Sequence, residues 1–157
     1  MTSSDRPPVP LAKLIGPDTV AAQAVVASWE EAVDRVGGLL VQAGRVRPSY
    51  IPAMKQVLKE IGPYAVIAPG IVLLHARPED GVIEPCLALV TLATPVPFGH
   101  SQNDPVDLVF ALGAVDKQAH IESLQQLAEM LGDENVLQRL RSATTAGELA
   151  GILAAGA

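Results

Sequence analysis

The chain has 157 residues, 49% of them apolar and only 3% aromatic, with a formal net charge of −6. That length suits one domain, which buries roughly 70% of its extended surface and needs neither disulfide nor metal to fold. The acidic balance argues against nucleic acid as a partner, because no basic face is available to neutralise phosphates, and no apolar run approaches the ~20 residues that span a bilayer.

Residues 1–10 read as a flexible tail of prolines and small polar residues without the apolar core of a signal peptide, and 11–157 as a single domain. Residues 11–15 and 20–26 are weakly patterned and predict short strands. Ser28-Trp29-Glu30-Glu31 is a capping box that opens a helix over 29–43, with Trp29, Ala32, Val33, Val36, Leu39 and Leu40 at helical spacing and Gly44 as its stop. A second helix is expected from about Ser49 to Ile61. Pro52 is tolerable in its first turn, and Gly62-Pro63 ends it. Residues 64–68 and 71–75 then predict two strands separated by Pro69-Gly70. Cys86 opens a third apolar run over 86–92, and 107–115 is a fourth. Residues 94–105 hold three prolines and a glycine, so a loop is expected there. From Lys117 the chain turns helical, with Ile121, Leu124, Leu127, Ala128 and Leu131 as the apolar stripe. Asp133 can cap a short helix to Leu140, and Thr145-Ala146-Gly147-Glu148 is a capping box for a last helix to about Ala155. Helices, clustered strands and helices again predict an α/β domain: a mixed β-sheet flanked by helices on its faces.

The candidates for chemistry are few. Cys86 is the single cysteine, which forbids an intrachain disulfide, suits a reducing cytoplasm, and reads as a small core residue. His75 ends an aliphatic strand and opens onto the turn Ala76-Arg77-Pro78-Glu79-Asp80-Gly81. Open α/β sheets present ligand groups at such a junction. A histidine with an ordinary pKa of about 6.5 is mostly neutral, hence nucleophilic, at cellular pH. His120 starts the helix after the last strand and can meet His75 at one edge of the sheet. His100 lies in the 97–103 loop. A solvated or structurally bonded side chain is the commoner role for each of the three. Zinc held by histidines with Glu79 or Asp104 is a weak rival, since no close His-x-x-x-His pair exists. No Gly-x-Ser-x-Gly elbow and no glycine-rich nucleotide loop is present. Asp104 and Asp107 read as turn-forming or solvated. Arg77 is a loop charge whose functional reading is a phosphate contact beside His75.

The uninterrupted stretch Gly62-Pro63-Tyr64-Ala65-Val66-Ile67-Ala68-Pro69-Gly70-Ile71-Val72-Leu73-Leu74-His75-Ala76-Arg77-Pro78-Glu79-Asp80-Gly81-Val82 resembles the phosphorylation-site segment of phosphotransferase-system (PTS) enzyme IIA domains of the mannitol/fructose type. Within that group it is most similar to the ascorbate branch. Ser28 to Ala32, Tyr50 to Met54, Leu89 to Leu92, Asn103 to Asp107, and Ala114 to Asp116 followed by His120 extend the resemblance in order over about residues 10–155. It implies a phosphocarrier in which His75 accepts a phosphoryl group from phospho-HPr and passes it to a cysteine of an enzyme IIB component, for sugar entering through a membrane component, IIC. His120 corresponds to the second active-site histidine, which stabilises the phosphate. No cofactor is implied, and contact with the membrane is only indirect. A homodimer is compatible with the resemblance, and so is a regulatory phosphoprotein that signals through partner binding. Two departures are plain. Leu74 stands where the family usually has proline. Val57 stands where mannitol-type members carry an arginine, which leaves backbone N–H groups, His120 and Arg77 to meet the phosphate.

Overall fold

A computed structural model describes residues 9–156. Of the expected tail, residues 1–8 lie outside the described residues. Five strands, β1 (Val20–Ala24), β2 (Val66–Ala68), β3 (Ile71–His75), β4 (Cys86–Val96) and β5 (Val106–Gly113), form one sheet in the order β1-β4-β5-β3-β2. β1 runs parallel to β4, and β3 parallel to β5. The β4–β5 and β2–β3 pairs are antiparallel. The sheet is therefore mixed, as expected.

Helices cover both faces. α2 (Trp29–Gln42) and α3 (Tyr50–Ile61) pack on one; α1 (Leu11–Leu14), α4 (Lys117–Leu131), α5 (Glu134–Ser142) and α6 (Ala146–Gly156) pack on the other. Successive strand residues point to opposite faces. In β3, Val72 and Leu74 join the α2–α3 core, whereas Ile71 and Leu73 join the α4–α6 core. With both faces buried no position needs to be polar, which is why the strands read as unbroken aliphatic runs rather than alternating patterns.

The helix signals work locally. Ser28 Oγ accepts from the Glu31 N–H at 3.2 Å, and Glu31 reaches back to accept from the Ala27 N–H at 3.2 Å. Gly44 leaves α2 at φ 74°, a left-handed angle that glycine adopts without cost. Asp133 accepts from the Asn135 N–H at 2.9 Å to cap α5. Thr145 accepts from the Glu148 N–H at 3.1 Å, while the Glu148 carboxylate accepts from the Thr144 hydroxyl at 3.0 Å instead of a backbone group.

Three expectations are corrected. Residues 11–15 do not form a strand. Leu11 and Leu14, three apart, are both buried as one face of the single turn α1, which Pro10 leads in at φ −63°. Gln126 of α4 pins this turn, donating to the Val9 carbonyl at 2.7 Å and accepting from the Leu11 N–H at 3.2 Å. Residues 94–96, expected in a loop, extend β4. β1 ends opposite Leu92, so on that side Pro95 has no neighbouring strand to miss its absent N–H. The stripe of α4 is also rotated. Ile121 is 41% exposed, and the buried positions are Ser123, Leu127 and Met130.

Candidate functional site

β3 and β5 are parallel, so their carboxyl ends open at one edge of the sheet, and His75 lies opposite Leu112 in register. Leu74, the departure from the resembled motif's usual proline, pairs with Ala111 and is 1% exposed in the core. The strand therefore stays regular up to His75. Beyond β5 the chain enters α4, and His120 sits three residues ahead of Ser123 on the sheet-facing stripe. The two imidazoles meet with ring centroids 4.9 Å apart and planes inclined by 50°. They share an open cavity of about 460 Å³. Its walls include Val57 and Ile61 of α3, Ala76, Arg77 and Pro78 after β3, and Asp116 and Lys117 at the start of α4.

The rings are half-buried and differ in what surrounds them. Burial holds His75 below the ordinary histidine pKa, and the Leu73 backbone exerts a smaller opposing pull toward the charged form. That pull falls short of a hydrogen bond, because Nδ1 is buried and has no bonding partner. Buried polar atoms without partners are rare and call for a reason. Here the consequence is orientation: Nδ1 faces inward, which leaves Nε2 as the nitrogen available to the cavity. His120 is also held below its ordinary value, first by burial and then by repulsion from His75. Two imidazolium rings this close repel each other, so the pair takes up its protons in two steps. At neutral pH both rings are uncharged.

The beginning of α3 holds the exit of β3. Tyr50 is fully buried. Its hydroxyl donates to the Leu112 carbonyl at 2.7 Å and accepts from the Ala76 N–H at 3.0 Å. One side chain thereby ties the residue after His75 to the residue opposite it. Burial pushes the Tyr50 phenol up to about 12, so it stays a donor throughout. Ser49 donates to the Asp80 carbonyl at 2.9 Å and fixes the following turn.

The other candidates separate from this pair. Arg77 lines the cavity, but its side chain is 75% exposed and its Nε leans back to Asp80 Oδ2 at 3.4 Å. His100 is used inside its own loop, where Nδ1 accepts from the N–H groups of Gln102 at 3.2 Å and Asn103 at 3.0 Å. The Asp104 carboxylate accepts from Phe98 and Gly99 N–H groups, and Asp107 pairs with Arg141. Among the described residues no cluster of three or more His, Cys, Asp and Glu side chains is placed to hold a metal. The Cys86 thiol, pushed up to about 12 by burial, is a core group. Sequence reasoning assigned no role to Tyr50, whose aromatic ring at the start of an amphipathic helix carries no separate signal. It also passed over Lys117, which helical spacing puts one turn ahead of His120.

A mixed sheet flanked by helices, with a histidine pair in an open cavity at its carboxyl edge, defines an α/β protein with its candidate site at a strand end, and comparison with known proteins names its class. The family model for the phosphoenolpyruvate-dependent sugar phosphotransferase system, EIIA 2, matches residues 13–156. The ascorbate-specific PTS system EIIA component of Salmonella typhi is 41% identical over 133 residues, covering 84% of this chain and 86% of that protein. Its counterpart in Escherichia coli K12 is 40% identical over 132 residues, covering 83% and 86%. Among solved structures, the mannitol-specific cryptic phosphotransferase enzyme IIA CmtB of Escherichia coli matches with a TM-score of 0.83 at 30% identity, over 94% of this chain and 99% of that one. Enzyme IIA-Mtl, solved in complex with phosphorylated enzyme IIB-Mtl from Escherichia coli, matches with a TM-score of 0.79 at 28% identity, over 90% and 97%. The chain belongs to the EIIA 2 family of the phosphoenolpyruvate-dependent sugar phosphotransferase system. It is a phosphotransferase relay component of the kind that works with an enzyme IIB.

Proposed function

We propose that the chain accepts a phosphoryl group from phospho-HPr on His75 and passes it to an enzyme IIB component for uptake of a sugar of the ascorbate class, acting in the cytoplasm as one domain over residues 11–157. The observation that carries this reading is the His75–His120 pair, 4.9 Å apart in an open cavity, with His75 Nδ1 turned inward. The ascorbate assignment rests on the relatives of that name at about 40% identity.

Phosphoryl transfer asks for an in-line nucleophile and for positive or hydrogen-bonding groups at the equatorial oxygens. Neutral His75 supplies the lone pair at Nε2. A new N–P bond forms there while the N–P bond of the donor phosphohistidine breaks, and its electron pair returns to the donor ring. The ring proton of His75 stays on Nδ1, the nitrogen turned away from the cavity. No proton is gained or lost, and the same step in reverse delivers the group to a IIB thiolate. His120 donates a hydrogen bond to the transferring group. Arg77 adds positive charge at the rim, within reach of a docking partner. The cavity is open, and exposed Ile61, Val115 and Ile121 lie on it or beside its lining residues, giving an apolar surface on which HPr and IIB can dock in turn.

Incubation with enzyme I, HPr and phosphoenolpyruvate tests the reading. One acid-labile phosphoryl mass should appear on the wild type and be absent from His75→Ala. Onward transfer to a IIB cysteine completes the relay. A wild type that takes up no phosphoryl group would sink it.

A further inference from the structure

The cavity around His75 lacks a cation on α3, because Val57 occupies that wall. A phosphoryl group on His75 brings close to two negative charges into a half-apolar space, where an uncompensated dianion is costly. Two cationic side chains line the cavity, Arg77 and Lys117. Arg77 is engaged with Asp80, whose Oδ2 accepts both its Nε at 3.4 Å and its backbone N–H at 2.9 Å. Lys117 makes no ion pair among the described residues. It opens α4 three residues before His120. Residues three apart on a helix are neighbours on one face, with Cβ atoms about 5–6 Å apart. His120 uses that face to reach His75. The flexible four-carbon stem of lysine places an ammonium as a mobile point charge rather than a rigid fork. Asp116, the remaining charge on the wall, accepts from the Ala119 N–H at 2.8 Å as the cap of α4.

We infer that Lys117 binds the phosphoryl group carried by His75, replacing from the start of α4 the cation that α3 does not supply. This deepens the phosphocarrier reading and rests on it. The ammonium pairs with an equatorial oxygen beside the hydrogen bond from His120. It stabilises phosphorylated His75 and also the charge spread over the group during transfer. The side chain is exposed, so substituting it leaves the fold intact.

The test compares Lys117→Gln, Lys117→Arg and Arg77→Gln with the wild type. One measurement is the rate of phosphorylation by phospho-HPr. The other is the second ionisation of the bound phosphoryl group, followed by phosphorus NMR against pH. Lys117→Gln should phosphorylate about tenfold more slowly, and its phosphoryl group should ionise at higher pH, because a nearby cation favours the dianion. Lys117→Arg should restore most of both, and Arg77→Gln should shift the ionisation less than Lys117→Gln does. A wild-type ionisation in Lys117→Gln, or the shift appearing in Arg77→Gln instead, would overturn the role of Lys117 and leave the phosphocarrier reading standing. A wild type that is never phosphorylated would overturn both.

Discussion

At the scale of single residues the site depends on keeping an imidazole neutral and aimed. Burial keeps His75 neutral, with its pKa below the usual 6.5. Phosphoryl acceptance should therefore be flat across neutral pH and fall only as pH drops through that lowered value. Titration of the His75 ring protons by NMR should show a midpoint below 6.5; one above it would contradict the burial argument. Aiming falls to Tyr50 and His120. Tyr50→Phe keeps the packing but removes the hydroxyl that pairs with the Ala76 N–H and the Leu112 carbonyl at the strand end. An unpaired buried backbone group costs about 1–3 kcal/mol, so the urea midpoint should fall by that equivalent, and acceptance should slow without being lost. Wild-type stability in Tyr50→Phe would show that the bridge is dispensable. His120→Ala should fold normally and slow transfer about a hundredfold, the scale on which loss of one preorganised donor is felt. An unchanged rate would remove His120 from the site.

At the scale of elements, the entry to β3 is as constrained as its exit. Gly70 joins β2 to β3 at φ 76°, and a Cβ there would sit 2.6 Å from Arg141 Nη2 and 2.7 Å from Asp107 Oδ1. Those two groups form the paired contact that also holds the Pro69 carbonyl, through Arg141 Nη2 at 3.1 Å. Gly70→Ala combines left-handed strain with a clash against an ion pair. It should destabilise by about 2 kcal/mol or more in urea unfolding, and an effect under half of that would mean the junction relaxes freely. The same elements explain what was legible in the sequence. β3 and β5 were visible because a strand buried on both faces must be aliphatic throughout. α2 and α5 were visible because their caps are local chemistry. His75 stood out because it terminates such a run, and the match with the enzyme IIA motif named its partner. α1 was misread because four residues are too short for a period to declare itself. The end of β4 was misread because Pro95 signals a loop unless one knows that no strand flanks it on that side. The Tyr50 bridge and the placement of Lys117 depend on how α3 and α4 close onto a sheet whose strand order is not written in any local pattern.

At the scale of the whole molecule, the neutrality that the proposed relay asks of His75 also ties folding to pH. His75 and His120 both have folded-state pKa values below the ordinary histidine value, whereas in the unfolded chain both titrate near 6.5. Between the lowered values and 6.5 the unfolded chain binds more protons than the folded one, so stability rises with pH across that window. The contribution is fully present above 6.5 and is lost as pH falls through the folded values. The span from pH 7.5 to 5 covers the window in which the pair exchanges protons. His100 is common to the wild type and to a His75→Gln/His120→Gln double variant, so their comparison isolates the pair. Urea midpoints of the wild type should fall from pH 7.5 to 5, and those of the double variant should fall less. Equal slopes would mean that the pair does not set the acid sensitivity. The expected difference links folding to function: an exposed histidine at this strand end would not weaken the fold in acid, but it would also be more often protonated and less available to accept a phosphoryl group.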